Sequence, residues 1–202
     1  MSIHDYAVFG HDRAAVGRWL GVLSIMVTGG LSQVFAMAND LTGMDAFTKI
    51  TITAGIIYFG LHWLFNKIVW KIPLFEIPNL KGTWEVEGRT LNDDGTTKFN
   101  WEGTIGIEQT WKEILIHLTT KNSQSFSYTA TLSKRHGPTG GWLLSYSYKN
   151  EPELDKFNNL NSHKGYCEIE INNELEIAKA SYFNSGGRRT FGVMDLTRKA
   201  ND

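Results

Sequence analysis

Residues 82–120 read GTWEVEGRTLNDDGTTKFNWEGTIGIEQTWKEILIHLTT, and their apolar period is two. Trp84 and Val86 alternate with Glu85, Glu87 and Arg89, and Ile105 and Ile107 alternate with Thr104, Gly106 and Glu108. That alternation marks strands with one buried and one solvated face. Asp93-Asp94-Gly95 supplies the turn chemistry of a hairpin between the first two strands.

The same pattern continues to the C-terminus. The spacing predicts eight strands: Gly82 to Leu91, Thr97 to Gln109, Glu113 to Thr119, Gln124 to Ser133, Gly141 to Asn150, His163 to Ile171, Glu174 to Asn184, and Arg188 to Arg198. Gly137-Pro138-Thr139-Gly140, Asn172-Asn173 and Ser185-Gly186-Gly187 are further turns. Eight short strands without intervening helix fit a sandwich or an up-and-down barrel, and the barrel is preferred. The inward phase takes Trp84 and Val86; Phe99, Trp101, Ile105 and Ile107; Ile114, Ile116 and Leu118; and Phe126, Tyr128 and Leu132. It continues with Leu144, Tyr146 and Tyr148; Cys167, Ile169 and Ile171; Ala178, Ala180 and Tyr182; and Gly192, Met194 and Leu196. Glutamates and lysines dominate the other face.

An eight-stranded barrel is either filled by its side chains or holds one small ligand. Carried to one rim, the inward phase collects Gln124, Tyr146, Tyr148, Asn150, His163, Tyr182, Asn184, Arg188 and Thr190. Tyr rings stack on planar bases, Arg pairs with phosphate and amides read base edges. The plainer alternative is that these groups hydrogen-bond to loop backbone. The opposite end, with Trp84, Ile107, Leu132, Ile171, Leu196 and Arg198, reads as plugged. The long connection from Glu151 to Ser162 is a candidate lid.

Before the strands lie two stretches without Asp, Glu, Lys or Arg, between Arg18 and Asp40 and between Lys49 and Lys67. Each approaches the ~20 residues that cross a bilayer. Residues 19–38 and 50–70 are therefore expected to be transmembrane helices, with a 1–18 cytoplasmic segment, a 39–49 periplasmic loop, a 71–81 linker carrying Pro73 and Pro78, and the barrel over 82–199. Arg13, Arg18, Lys67, Lys71 and Lys81 flank the spans on one side, which puts both termini in the cytoplasm. Strand order then turns the plugged end to the membrane and the polar mouth to the cytosol. Ala36-Met37-Ala38 also fits a signal-peptidase site, although a second apolar span follows at once. Gly17 and Gly21 form a G-x-x-x-G step suited either to self-association or to packing within the hairpin. His62 is the ionisable side chain within the second span.

The net charge of −1 offers no basic surface for a DNA or RNA duplex. The single cysteine fits a reducing compartment, and no zinc, P-loop or paired-carboxylate pattern indicates a metal, a cofactor or catalysis. A membrane-anchored barrel that carries an apolar molecule is the competing assignment.

Two apolar spans followed by L-K-G-T-W (80–84), I-E-Q-T-W-K-E-I (107–114), S-Y-S-Y-K-N-E-P (145–152), H-K-G (163–165) and R-x-T-x-G-x-M-x-L (188–196) resemble the CD-NTase-associated protein 15 (Cap15) family of effectors of bacterial CBASS anti-phage systems. The resemblance implies a minimal lipocalin-like barrel that binds a cyclic dinucleotide made by a cGAS-like nucleotidyltransferase. It further implies ligand-driven homo-oligomerisation in the lipid bilayer, loss of inner-membrane integrity and death of the infected cell. Trp84 and Arg198 are similar to the Trp and Arg pair that closes one end of lipocalins.

Overall fold

A computed structural model describes residues 3–42, 53–137, 140–152, 163–186 and 189–200. The chain divides into two units, residues 1–10 with 76–202, and residues 11–75.

Ten strands make up the first unit: β1 (His4–Asp5), β2 (Ala7–Val8), β3 (Gly82–Leu91), β4 (Thr97–Gln109), β5 (Glu113–Thr120), β6 (Ser123–Lys134), β7 (Trp142–Pro152), β8 (His163–Ile171), β9 (Ile177–Ser185) and β10 (Phe191–Arg198). Strands β3 to β10 pair antiparallel with their neighbours; β10 returns to β3, and β5 meets β6. The eight expected strands thus form a closed up-and-down barrel. Its core holds Trp84, Val86, Ile105, Ile107, Ile114, Ile116, Leu132, Leu144, Ile169, Ile171 and Leu196, all buried, as alternation required.

Strand β6 departs from that alternation. Its register against β7 slips between Ser127 and Thr129, leaving Tyr128 as the extra residue of a bulge. The side-chain phase reverses there. Ala130 and Leu132 point inward after the bulge, but before it Ser125 and Ser127 do, while Tyr128 is 41 % exposed. Phe126, expected inside, stacks on His117 instead, with ring centroids 6.4 Å apart. Strand β9 starts at Ile177 rather than Glu174, because the Asn172 side chain accepts the backbone N–H groups of Glu176 and Ile177 and holds a turn.

One end of the barrel is closed. The Arg198 guanidinium lies 5.5 Å from the Trp84 ring centre and donates to the carbonyls of Leu175 and Lys81. Burial lowers the pKa of Arg198. At this end the start of the chain belongs to the barrel rather than forming a free tail: β1 pairs with Glu113–Ile114 of β5, and β2 pairs with Thr131–Leu132 of β6. Tyr6 between them is buried, donates to the Thr110 carbonyl and receives the Gln109 side-chain amide.

In the second unit, helix α1 runs Arg13–Thr42, beginning well before the expected position 19. Asp12 accepts the Ala15 N–H at the helix start, and that bond holds its carboxyl below the usual range. Residues 13–41 are long and apolar enough to cross a membrane. Helix α2 runs Ala54–Lys67, starting where Thr53 caps the Ile56 N–H and ending before a 3-10 turn at Val69–Lys71. Its regular part rises about 21 Å, shorter than the expected 50–70 span; residues 50–52 lie outside the described part. A Cβ at Gly17 would meet the Tyr58 hydroxyl of α2 at 3.8 Å, whereas one at Gly21 would meet nothing within 4 Å. The hydroxyls of Ser24, Thr28 and Ser32 donate back along α1, to Gly21, Ser24 and Thr28.

Candidate functional site

The barrel is hollow at the end opposite Trp84 and Arg198. A cavity of about 540 Å³ opens there, lined where β3, β5, β7 and β9 end and β4, β6 and β8 begin. Its size lies in the range that takes one small molecule.

Why the lumen is open follows from three cross-strand pairs, each an aromatic residue opposite a glycine: Trp101 with Gly88, Tyr148 with Gly165 and Tyr182 with Gly192. A Cβ at Gly88 would fall 2.1 Å from the Trp101 indole, one at Gly165 2.4 Å from Tyr148 Cζ, and one at Gly192 2.1 Å from the Arg89 carbonyl and 2.8 Å from the Tyr182 hydroxyl. Each ring therefore lies against the wall over a missing side chain instead of projecting across the lumen.

Hydrogen bonds fix these rings. Tyr182 Oη bonds Thr90 Oγ1 at 2.8 Å and receives the Trp101 indole N–H at 3.3 Å, the two rings meeting edge to face. Tyr148 donates to Asn184 Oδ1 at 2.6 Å, and Asn184 Nδ2 donates to Thr190 Oγ1 at 2.7 Å. Asn150 Nδ2 donates to Ser123 Oγ at 3.1 Å. The polar groups largely satisfy one another side chain to side chain, which presets their positions before a ligand arrives. Burial pushes the Tyr146 and Tyr148 phenols upward and the Cys167 thiol up to about 12, so all three are neutral at physiological pH.

Of the nine rim residues read from the sequence, Tyr146, Tyr148, Asn150, His163, Tyr182, Asn184 and Thr190 line the cavity. Gln124 does not: it stands exposed on the outer face, because the bulge at Tyr128 reversed the phase on which its inward placement rested. Ser123 and Ser125 take its place. Arg188 lies outside the described residues, as do positions 153–162 of the expected lid. Thr190 precedes β10 rather than starting it. The cavity also contains Thr90, Lys121, Asn122, Cys167 and Met194. Thr90 shares the phase of Trp84 and Val86, and Cys167 and Met194 were already on the inner face. Lys121 and Asn122 form a hairpin turn, where alternation gives no direction. Among the described residues, no group of three His, Cys, Asp or Glu could hold a metal ion.

Comparison with known proteins agrees over both units. The family model described as "Cap15, cyclic dinucleotide receptor domain" matches residues 75–198, and "Cap15, TM helices" matches residues 14–71. The chain is also similar to CD-NTase-associated protein 15 of Yersinia aleksiciae, with 34% identity over 212 aligned positions that cover 98% of each chain.

Proposed function

The chain belongs to the Cap15 family, with its cyclic dinucleotide receptor domain and transmembrane-helix region, and from that premise we propose that it is a ligand-gated membrane effector of a CBASS anti-phage system. One cyclic dinucleotide enters the barrel mouth, the protein self-associates in the bacterial inner membrane, and the membrane loses integrity, killing the infected cell. The observation that carries this reading is the cavity: Trp101, Tyr148 and Tyr182 offer ring faces and edges for bases, and Asn184, Thr90 and Ser125 offer polar atoms at fixed places. Lys121 brings a cation to the rim for a phosphate.

The flanking positive charges support a double-spanning anchor with both termini in the cytoplasm, the side on which a nucleotide messenger is made. Gating requires that the ligand bind the assembled state more tightly than the monomer. The protein acts as a receptor without catalysis. A carrier of an apolar molecule fits less well, since its lumen would not need the Tyr148, Asn184 and Thr190 chain of hydrogen bonds.

The test is dye release from vesicles containing the full chain, with a panel of purified cyclic dinucleotides. Release by at least one of them is expected, together with its binding in calorimetry. Absence of both across the panel would overturn the proposal.

A further inference from the structure

The barrel closes on itself through an unusually short ladder. Strands β5 and β6 are in register only from His117 opposite Phe126 to Thr119 opposite Gln124. By contrast, β6 and β7 stay paired from Ser123 opposite Pro152 to Lys134 opposite Trp142, with one bulge. Beyond His117 the β5–β6 ladder stops, and the Ile116 N–H donates to the side chain of Ser127 at 2.9 Å. Ser127 is 1 % exposed, and its hydroxyl also bonds Nε2 of His4 at 2.8 Å.

The gap below is occupied by the start of the chain. β1 pairs with β5 on one side, β2 pairs with β6 on the other, and the Phe9 N–H donates to the Leu132 carbonyl. The wall at this seam is thus completed by a strap held through two-residue pairings and by Tyr6, which packs in the core and bonds Gln109 and Thr110. The strap's other end is covalently close to α1, which begins at Arg13. The mouth end of the same seam lines the cavity through Leu118, Thr120, Lys121, Asn122, Ser123 and Ser125. One seam therefore touches the ligand site at its upper end and the helix-bound strap at its lower end.

We propose that residues 3–10 are a ligand-responsive latch, docked in the β5–β6 seam while the cavity is empty and released when a ligand parts the seam. Release frees the segment leading into α1, and this is the step that permits the helices to associate. The proposal rests on the receptor reading above for its ligand. It assigns to the N-terminus, rather than to the 71–81 linker, the transmission of occupancy.

Two variants of the full chain in phosphatidylethanolamine–phosphatidylglycerol vesicles test it. Asp5 and Glu113 are register partners, and antiparallel partners about 4.5–5.5 Å apart can accept a disulfide. Because a ligand that releases the latch binds the released state more tightly, oxidised Asp5→Cys/Glu113→Cys is expected to bind cyclic dinucleotide more weakly than the reduced form and, at saturating nucleotide, to release dye at least about tenfold more slowly, and reductant restores both. Equal release from oxidised and reduced protein overturns the latch. His4→Ala/Phe9→Pro removes the Ser127 bond and the Leu132 bond without hollowing the core. Dye release with no nucleotide present, several-fold above the unmodified protein, is expected; release no faster than that of the unmodified protein overturns the latch. If no nucleotide in the panel binds, the receptor reading fails, and this nucleotide-free arm still decides the latch.

Discussion

The indole of Trp101 lies on Gly88, its partner across the β3–β4 ladder, so closely that a methyl group there would sit 2.1 Å from the ring. The nearest atoms around that methyl group all belong to the indole, so the ring is what must move. Gly88→Ala is expected to push Trp101 into the lumen, cost about 1–3 kcal/mol by overpacking, and weaken ligand binding by about tenfold or more, since an overpacking cost of that size falls on the site itself. Urea unfolding and calorimetry on the same sample check both. Unchanged affinity would mean that the ligand does not use the space Gly88 provides.

Tyr148→Phe keeps the ring and deletes only the donor to Asn184 Oδ1. A neutral hydrogen bond of this kind contributes about 0.5–1.5 kcal/mol. A loss of that order in stability is expected, with a rise in Kd of about fivefold because the amide is no longer held. Calorimetry separates this from Gly165→Ala, in which the added methyl presses on both the Tyr148 ring and the Phe183 carbonyl.

Burial gives the barrel an alkaline weakness. Cys167 is held up to about 12 from an ordinary value of 9.0, and Tyr146 is pushed well above its ordinary 10.0. In the unfolded chain these groups lose their protons first, so the folded state binds more protons in that window. Their contribution to stability is complete below about pH 9 and declines as pH rises toward 12. A slope of up to about 1.4 kcal/mol per pH unit per group is expected. Denaturant midpoints measured from pH 8 upward check it, and Cys167→Ser, which alters the group, should flatten the first part of the decline.

Arg198→Ala removes the cation over Trp84 and the donors to Leu175 and Lys81 together. Hydrogen bonds to a charged group are worth about 1.5–3 kcal/mol, and a loss in that range is expected from thermal unfolding. Because the pair is remote from the cavity mouth, ligand affinity at a temperature well below the transition should stay within about twofold of the original.

Much of this was legible in the chain because two-residue periodicity is a direct consequence of strand geometry. Trp84, Ile105, Ile169 and Leu196 could be placed inside from spacing alone, and seven of the nine rim residues followed by extending the same phase. The failures share a physical cause: alternation carries information only while the ladder is regular. One extra residue at Tyr128 moved Gln124 outside and brought Ser125 in. Lys121 and Asn122 sit in a turn, where no phase exists. His4 to Val8 form strands too short to have a period, and their pairing with residues more than a hundred positions away leaves no local trace. The regular part of the second helix starts at its Thr53 cap and ends at Lys67, bounds that hydropathy, which reports composition, does not mark.

The glycines beneath Trp101, Tyr148 and Tyr182 also separate what shapes ligand choice from what meets the ligand. Adding a side chain behind a ring changes the room available while every side chain facing the ligand keeps its identity. The room for a ligand can therefore change through Gly88, where the nearest atoms are all those of the Trp101 ring, a position that a search confined to contact residues would pass over.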